Sequence, residues 1–250
     1  MTSKASALPD IDVEEFRKVV RSRRSIRRFK PDPIPRDVLS ECLELATLAP
    51  NSSNLQPWEF FVVESADLRA KLATACLGQN AAKTAPALIA IVARPDTWRK
   101  HARQALDEWP EASLPPIVEK YYRTVAPIHY NQGPLGVFGL TKKAAGMALG
   151  MLRPVPRGPS STSDMKVWAT KSTALAAQNL MLALRAHGYD SCPMEGFDEC
   201  RVKSLLKIHR KGLVTMYWRR VNAPTTAFIT ASTGSTRTNW CITCDSPHPL

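Results

Sequence analysis

The densest concentration of chemically useful side chains lies near the amino end, in the segment RRSIRRF at residues 23–29. Arginine guanidinium groups bind phosphate through paired hydrogen bonds, and the hydroxyl of Ser25 adds a neutral donor. Because side chains alternate along an extended chain, Arg23, Ser25 and Arg27 would share one side of such a segment. Taken alone, the run favours a solvated basic surface or a nucleic-acid patch by about two to one.

A second candidate segment is APNSSNLQPW at residues 49–58, where two prolines enclose small hydrogen-bonding side chains. A loop of this kind can wrap the polar edge of a planar heterocycle. The same residues are also typical of an ordinary turn between a helix and a strand, where Asn and Ser are common.

The third segment is CPMEGFD at residues 192–198, directly before a predicted helix. Gly196 allows a ligand to approach the backbone closely, and exposed N–H groups there can be directed at a ring atom. The simpler interpretation is a loop that ends in a helix N-cap at Asp198, and both interpretations can hold together.

These three segments, in this order, resemble the motifs of the nitroreductase family of FMN-dependent oxidoreductases. The resemblance extends over about residues 12–213, with a variable insertion at 94–136, and it implies one FMN-binding domain followed by an atypical tail at 214–250. It also implies a three-layer α/β/α sandwich with a mixed central sheet and a long central helix at the dimer interface.

The resemblance implies a cofactor-binding role for the first segment. Arg23, Arg24 and Ser25 would hold the FMN phosphate and ribityl chain. Arg27 would reach the N1/O2 side of the ring and stabilise the negative charge of the reduced flavin. Gln79, which precedes a buried strand, would hydrogen-bond the pyrimidine edge.

The other two segments would complete the pocket from opposite sides. Pro193, Glu195 and Gly196 would line the flavin face near N5, with a backbone N–H directed at N5. Because the family builds its site across a dimer interface, the remaining contacts would come from the second subunit of a homodimer, through Pro50, Asn51, Ser52 and Asn54.

The chemistry implied by the resemblance belongs to the cofactor. NADH or NADPH would deliver hydride to flavin N5, and the reduced flavin would pass two electrons to a nitroarene, a quinone or a similar small molecule in a ping-pong reaction. No side-chain nucleophile or acid/base pair is required, so no catalytic side chain is predicted.

Three alternatives remain open on the sequence. A relative with the same fold could dehalogenate its substrate or cleave its own reduced flavin. A basic nucleic-acid-binding module is suggested by the net charge of +12 and by nine basic residues within 17–36, although no recognised nucleic-acid motif accompanies them. A protein that binds flavin without turnover is the third.

Composition supports a globular chain in the cytoplasm. The 250 residues are 44% hydrophobic, no apolar run is long enough to span a membrane, and the first ten residues lack the apolar core of a signal peptide. Cys241 and Cys244 form a lone CxxC pair without further ligands, so no metal site is predicted.

The order of elements predicts an α+β fold. A capping box at Asp12 and Glu15 precedes a helix whose apolar side carries Val13, Phe16, Val19 and Val20. The remaining predicted elements are a helix between Pro35 and Pro50 with Leu45 on its buried side, a strand at Trp58–Val63, a helix capped by Ser65, a strand at Ala87–Val92, a long helix at 164–187 stopped by Gly188, a helix capped by Asp198, and a strand at Leu213–Trp218.

The tail differs in composition from the rest of the chain. Residues 214–250 contain eight Thr, no Lys, no Glu and one acid, Asp245. The family pattern would place a basic residue here to close on the flavin phosphate, and Arg219, Arg220 and Arg237 are the candidates. We hypothesise that a reading-frame slip near codon 216 replaced the original carboxyl end, which resequencing of the coding DNA would test.

Overall fold

The computed structural model describes residues 10–30, 34–110, 113–219 and 227–229, and they form an α+β fold of ten α-helices and four strands. The helices are α1 (Val13–Ser22), α2 (Arg36–Thr47), α3 (Ala66–Ala75), α4 (Asn80–Lys83), α5 (Trp98–Asp107), α6 (Pro116–Lys120), α7 (Ala126–Tyr130), α8 (Val137–Leu149), α9 (Thr162–Ala186) and α10 (Glu199–Leu205). The strands are β1 (Trp58–Val63), β2 (Leu88–Ala93), β3 (Leu213–Arg219) and β4 (Ala227–Ile229).

The four strands form one sheet in the order β3-β2-β1-β4, and every neighbouring pair is antiparallel. Among the described residues, parallel pairing occurs only at an isolated bridge between Ser25 and Ser191, so the mixed character expected of the sheet is confined to that bridge. The connection from β1 to β2 passes through α3 and α4. Strand β2 begins beside the carboxyl end of β1, so the two strands run antiparallel.

Helices cover both faces of the sheet, which confirms the three-layer sandwich. The strand side chains that pack with α2 and α9 are Trp58, Phe60, Val62, Ile89 and Ile91, and those that pack with α3, α4 and α10 are Phe61, Val63, Leu88, Ala90 and Val92. Because neither face meets water, β1 and β2 contain continuous apolar runs rather than alternating apolar and polar residues.

The long helix α9 runs the length of the core and begins two residues before the predicted start. The Ser161 hydroxyl accepts a hydrogen bond from the Asp164 N–H at 3.1 Å, which caps the helix two residues earlier than predicted. Beyond its carboxyl end, Gly188 adopts a φ of +81°, the left-handed conformation predicted for the stop.

Some details of the predicted helices are wrong. Leu45 of α2, predicted on the buried side of its helix, is exposed because α9 packs on the opposite side of α2. On the apolar side of α1, Val13, Phe16 and Val20 are exposed and Val19 is half-buried. The Asp12 carboxylate caps α1, but Glu15 pairs with Lys18 instead of closing the capping box. Ser65 occupies an N-cap position without a side-chain capping bond.

The insertion at 94–136 is largely helical and contains α5, α6 and α7, with a π-helical turn at Tyr121–Val125 between α6 and α7. It packs on a third apolar cluster that includes Trp98, Tyr130 and Trp168. The sequence did not reveal these helices because prolines interrupt their short patterns.

The predicted strand at Leu213–Trp218 is confirmed as β3, and β4 pairs with β1 at the opposite edge of the sheet. Arg220, Arg237, Cys241 and Cys244 lie outside the described residues, and the reading-frame hypothesis stays a prediction. Within the described ranges, no helix is both long and apolar enough to cross a membrane.

Truncating a side chain at the contact between α9 and the sheet should destabilise the whole domain. Leu180 is fully buried in that contact, so Leu180→Ala should lower the free energy of unfolding by about 2–5 kcal/mol. Ile117 is 78% exposed, and Ile117→Ala serves as the matched control with a change below about 0.5 kcal/mol. Urea denaturation followed by circular dichroism measures both, and equal losses would contradict this placement of the core.

Candidate functional site

The basic segment after α1 is joined by backbone contacts to the chain just before residues 193–196, which form the Pro-x-Glu-Gly bend. Helix α1 ends at Arg23, whose N–H bonds to Val19, and the chain then becomes extended. Ser25 forms a parallel bridge with Ser191, and the N–H of Ile26 donates to the Ser191 carbonyl at 3.3 Å. Two motifs that lie far apart in the sequence are therefore adjacent in the fold.

Gln79 joins the same site from a third part of the chain. It lies at the N-cap position of α4, and its Nε2 donates to the Gly196 carbonyl at 2.7 Å. A Cβ atom added at Gly196 would lie 3.1 Å from that Nε2 and would displace it. The absence of a side chain at Gly196 thus allows this contact and leaves the bend open to solvent.

The helix after the bend fixes its far end. The Asp198 N–H donates to the Ala75 carbonyl at 2.8 Å, and its carboxylate accepts from the Arg201 N–H at 3.1 Å. The simpler interpretation of Asp198 as an N-cap is therefore confirmed. Glu195 and Gly196 are exposed, and Pro193 is half-buried.

The site carries cations without carboxylate partners. Among the described residues, no acidic side chain forms an ion pair with Arg23, Arg24 or Arg27. Arg24 donates instead to the backbone carbonyls of Arg21 and Arg23 at 2.6 and 2.8 Å. The resulting excess of positive charge attracts an anion to the start of the extended segment.

Two buried polar atoms beside this segment also lack partners within the described part of the chain. They are Nη1 of Arg23 and the hydroxyl oxygen of Ser191. A buried donor without an acceptor is costly, and the cost is largest for a charged group.

The Ser-Asn loop contains a tight turn at Ser52–Asn54 with unusual backbone angles. Ser53, Asn54 and Gln56 have φ values of +62°, +47° and +40°, in the left-handed region that non-glycine residues rarely occupy. The Asn51 side chain braces the loop, because its Oδ1 accepts from the Gln56 N–H at 2.7 Å. Such strain occurs in loops whose shape serves a ligand.

Residues of the insertion surround this loop. The Tyr130 hydroxyl lies 2.8 Å from the Ser52 hydroxyl, and the Nδ1 of His101 lies 2.6 Å from the Leu55 carbonyl. Burial raises the pKa of Tyr130 and lowers the pKa of His101, so both side chains favour their neutral forms. The sequence analysis missed these contacts because His101 and Tyr130 belong to no motif.

The structure does not unite all the predicted site residues in one chain. Ser25 is joined to Ser191, two residues before the bend at 193–196, and Gln79 is joined to Gly196 within it. Among the described residues, no hydrogen bond joins the loop at 50–57 to residues 23–27 or to the bend at 193–196. The assignment of Pro50, Asn51, Ser52 and Asn54 to the other subunit's pocket stays a prediction.

The described ranges hold no group of three or more His, Cys, Asp or Glu side chains suited to a metal ion. Cys42 and Cys76 are buried thiols outside any disulfide. Burial raises the pKa of Cys42 to about 12 and that of Cys76 to about 11, which keeps both protonated and unreactive at neutral pH.

Comparison with known proteins identifies the class. The model of the Nitroreductase family matches residues 20–218, and the chain belongs to that family. It is 31% identical over 186 residues to the NADH dehydrogenase of Thermus thermophilus, covering 74% of this chain and 75% of the relative. It is 29% identical over 199 residues to the 4-nitrobenzoate reductase of Pseudomonas putida, covering 78% and 77%.

Solved structures share the fold. A candidate nitroreductase of Bacillus subtilis superposes with a TM-score of 0.65 at 24% identity, covering 84% of this chain and 89% of that one. A candidate nitroreductase of Exiguobacterium sibiricum, solved in complex with FMN, superposes with a TM-score of 0.61 at 25% identity, covering 93% and 96%.

The buried imidazole of His101 predicts acid sensitivity. Because its folded-state pKa lies below the ordinary value of about 6.5, the unfolded chain takes up a proton first as the pH falls. Stability should therefore be present above about pH 6.5 and decline below it.

The variant His101→Asn keeps a donor near Nδ1 and removes the titration. Its urea midpoint should fall less steeply than the wild-type midpoint between pH 7 and pH 5, although the lowered pKa of buried His129 leaves part of the slope. His209→Asn, at a more exposed histidine beside Asp96, is the control. Identical slopes for His101→Asn and wild type would contradict the prediction.

Proposed function

We propose that this chain is an FMN-dependent oxidoreductase that takes two electrons from NADH or NADPH and passes them to a nitroaromatic, a quinone or a similar acceptor. The observation that carries the proposal is the convergence of three separated segments. The bridge from Ser25 to Ser191 and the contact from Gln79 to Gly196 place a cationic segment, an amide and an open bend beside one another.

The residues present fit FMN. Arg23 has a buried, unpartnered Nη1, which suits a phosphate acceptor, and Arg24 and Ser25 would complete the contacts with the phosphate and ribityl chain. Arg27 is exposed beside them and would reach the N1/O2 side of the ring. Gln79 would supply an amide to the pyrimidine edge.

When bound, FMN supplies two-electron transfer between a nicotinamide and an electron-poor acceptor. The protein contributes position and charge. The guanidinium of Arg27 would stabilise negative charge at the ring edge, and the open backbone at Pro193, Glu195 and Gly196 would let the ring and a second planar molecule approach. The chemistry requires no side-chain nucleophile.

The names of relatives support the proposed class of reaction and the cofactor. The Pseudomonas putida relative is named for reduction of 4-nitrobenzoate, and the Thermus thermophilus relative for oxidation of NADH. The Exiguobacterium sibiricum protein was solved with FMN. We accordingly assign residues 12–213 to one FMN-binding domain, with 94–136 as an insertion within it.

We further propose that the active form is a homodimer whose flavin sites are shared. Large apolar side chains on α8 and α9 are exposed in the single chain, including Leu140, Met147, Val167 and Leu175. Exposed apolar surface of this extent is typical of an interface between subunits. A second subunit would also bring the Ser-Asn loop to the pocket, which the single chain does not do.

Removing Arg27 should weaken FMN binding without unfolding the protein. A charge-assisted hydrogen bond contributes about 1.5–3 kcal/mol, so Arg27→Ala should raise the FMN dissociation constant by about 10- to 150-fold. Arg28→Ala removes the neighbouring exposed charge and should change the FMN dissociation constant by less than about threefold. Quenching of FMN fluorescence measures both constants. A wild-type protein that binds no FMN, or equal effects of the two variants, would overturn the assignment.

Disrupting the apolar surface of α8 should dissociate the dimer. Sedimentation of the wild-type protein should give twice the chain mass of 27.7 kDa. Leu140 is 68% exposed in the single chain, and Leu140→Glu should shift the protein toward the monomer and release FMN. Thr141→Glu places the same charge on the adjacent exposed residue and is the control. A monomeric wild type would contradict the proposal.

A further inference from the structure

We propose that Tyr121 and Tyr130, both in the insertion, are positioning residues that hold the turn at Ser52–Asn54 in its left-handed conformation. The insertion would thereby set the shape of one wall of the cofactor site. This inference rests on the proposed function in one respect only, namely that the turn borders bound FMN.

Three hydroxyl-bearing side chains meet at Ser53. The Ser53 hydroxyl lies 2.5 Å from the Tyr121 hydroxyl and 2.9 Å from the Tyr130 hydroxyl. Tyr122 adds a third tyrosine, because its hydroxyl donates to the Ser53 carbonyl at 3.0 Å. Both the side chain and the backbone of Ser53 are therefore held by residues of the insertion.

The turn needs this support because its own backbone is unfavourable. A left-handed conformation is unfavourable for a residue with a Cβ atom, and Ser53 and Asn54 adopt it in succession. Within the turn, the backbone contributes one bond, from the Asn54 N–H to the Asn51 carbonyl at 3.3 Å. Contacts from outside the turn must offset the remaining cost.

A π-helical turn explains how two tyrosines nine positions apart reach one serine. Each residue of an α-helix turns the chain by about 100°, so nine steps would place Tyr121 and Tyr130 on opposite sides. The π-helical turn at Tyr121–Val125 rotates each residue by less and brings the two hydroxyls toward each other.

Pro127 accounts for the π-helical turn in the sequence. A proline lacks the N–H group for the helical bond, and its ring clashes with the carbonyl four residues earlier, that of Arg123. Widening the preceding turn relieves the clash, and the Ala126 N–H then bonds to the Tyr121 carbonyl. Pi-helical turns of this kind occur frequently at functional sites.

Packing around the ring of Tyr130 fixes the direction of its hydroxyl. The side chain is 1% exposed, and its ring centroid lies 4.8 Å from that of Trp168 and 6.0 Å from that of Trp98. Aromatic packing of this kind restricts the ring to one orientation. The hydroxyl is therefore presented to Ser52 and Ser53 as a rigid support, as positioning of a strained turn requires.

The test removes the hydroxyls and keeps the rings. Tyr121→Phe, Tyr130→Phe and the double variant would be compared with Thr215→Val, which deletes a hydroxyl bonded to the Ile91 carbonyl in the sheet. Amide hydrogen exchange of the peptide over residues 50–57 would be measured on flavin-free protein. The FMN dissociation constant would be measured by fluorescence on the same preparations.

We expect each tyrosine variant to accelerate exchange in 50–57 by about 3- to 10-fold and to weaken FMN binding by a similar factor, whereas Thr215→Val changes neither. The double variant Ser52→Ala with Tyr130→Phe should accelerate exchange in 50–57 by less than the two single variants predict when their effects are combined. Both substitutions remove the same hydrogen bond. If the substitutions only lowered the global stability, their effects on exchange would be additive, and exchange would also accelerate in peptides outside residues 50–57.

Two results would overturn the inference. One is unchanged exchange in 50–57 for the double tyrosine variant. The other is accelerated exchange together with an unchanged FMN dissociation constant, which would mean that the tyrosines stabilise the loop but do not shape the cofactor site. If the wild-type protein binds no FMN, the proposed function fails, and the exchange measurement alone still decides whether the tyrosines hold the turn.

Discussion

The backbone bridge between Ser25 and Ser191 is the interaction on which the rest of the site depends. It connects the extended segment after α1 to the bend before α10, and the Ile26 N–H adds a bond to the Ser191 carbonyl at 3.3 Å. Without it, the arginines at 23–27 would be ordinary surface charges. With it, their positions are fixed relative to an open backbone, and a charged ligand can meet a prepared arrangement of donors, which lowers the entropic cost of binding.

The two predicted halves of the site are supported by different parts of the fold. The bend and Gln79 are carried on α3, α4 and α10, which pack on one face of the sheet through the cluster around Leu72 and Val202. The Ser-Asn loop lies at the start of β1 and is held by the insertion, through Tyr121, Tyr130 and His101. Differences within an insertion of this kind could therefore alter the loop while leaving the basic segment in place.

Sequence patterns predicted the parts of the fold where one local signal dominates. Strand β2 is a continuous apolar run, β1 is apolar apart from Glu59, and α9 is a long segment without Pro or Gly, so each was recognised in type and approximate extent. Prediction was wrong for the burial of Leu45, because an apolar stripe shows that a face can be buried but not that a neighbour covers it within the same chain.

The sequence by itself determined the residue types of the site: a run of arginines, a loop of Ser and Asn, and a glycine in a bend, in an order that resembles one family. The tertiary structure decided which of these residues meet. The bridge at Ser25, the contact between Gln79 and Gly196, and the tyrosine hydroxyls around Ser53 all join residues distant in the chain. Local patterns contain no information about such pairs, because long-range contacts form only when helices and strands pack into layers.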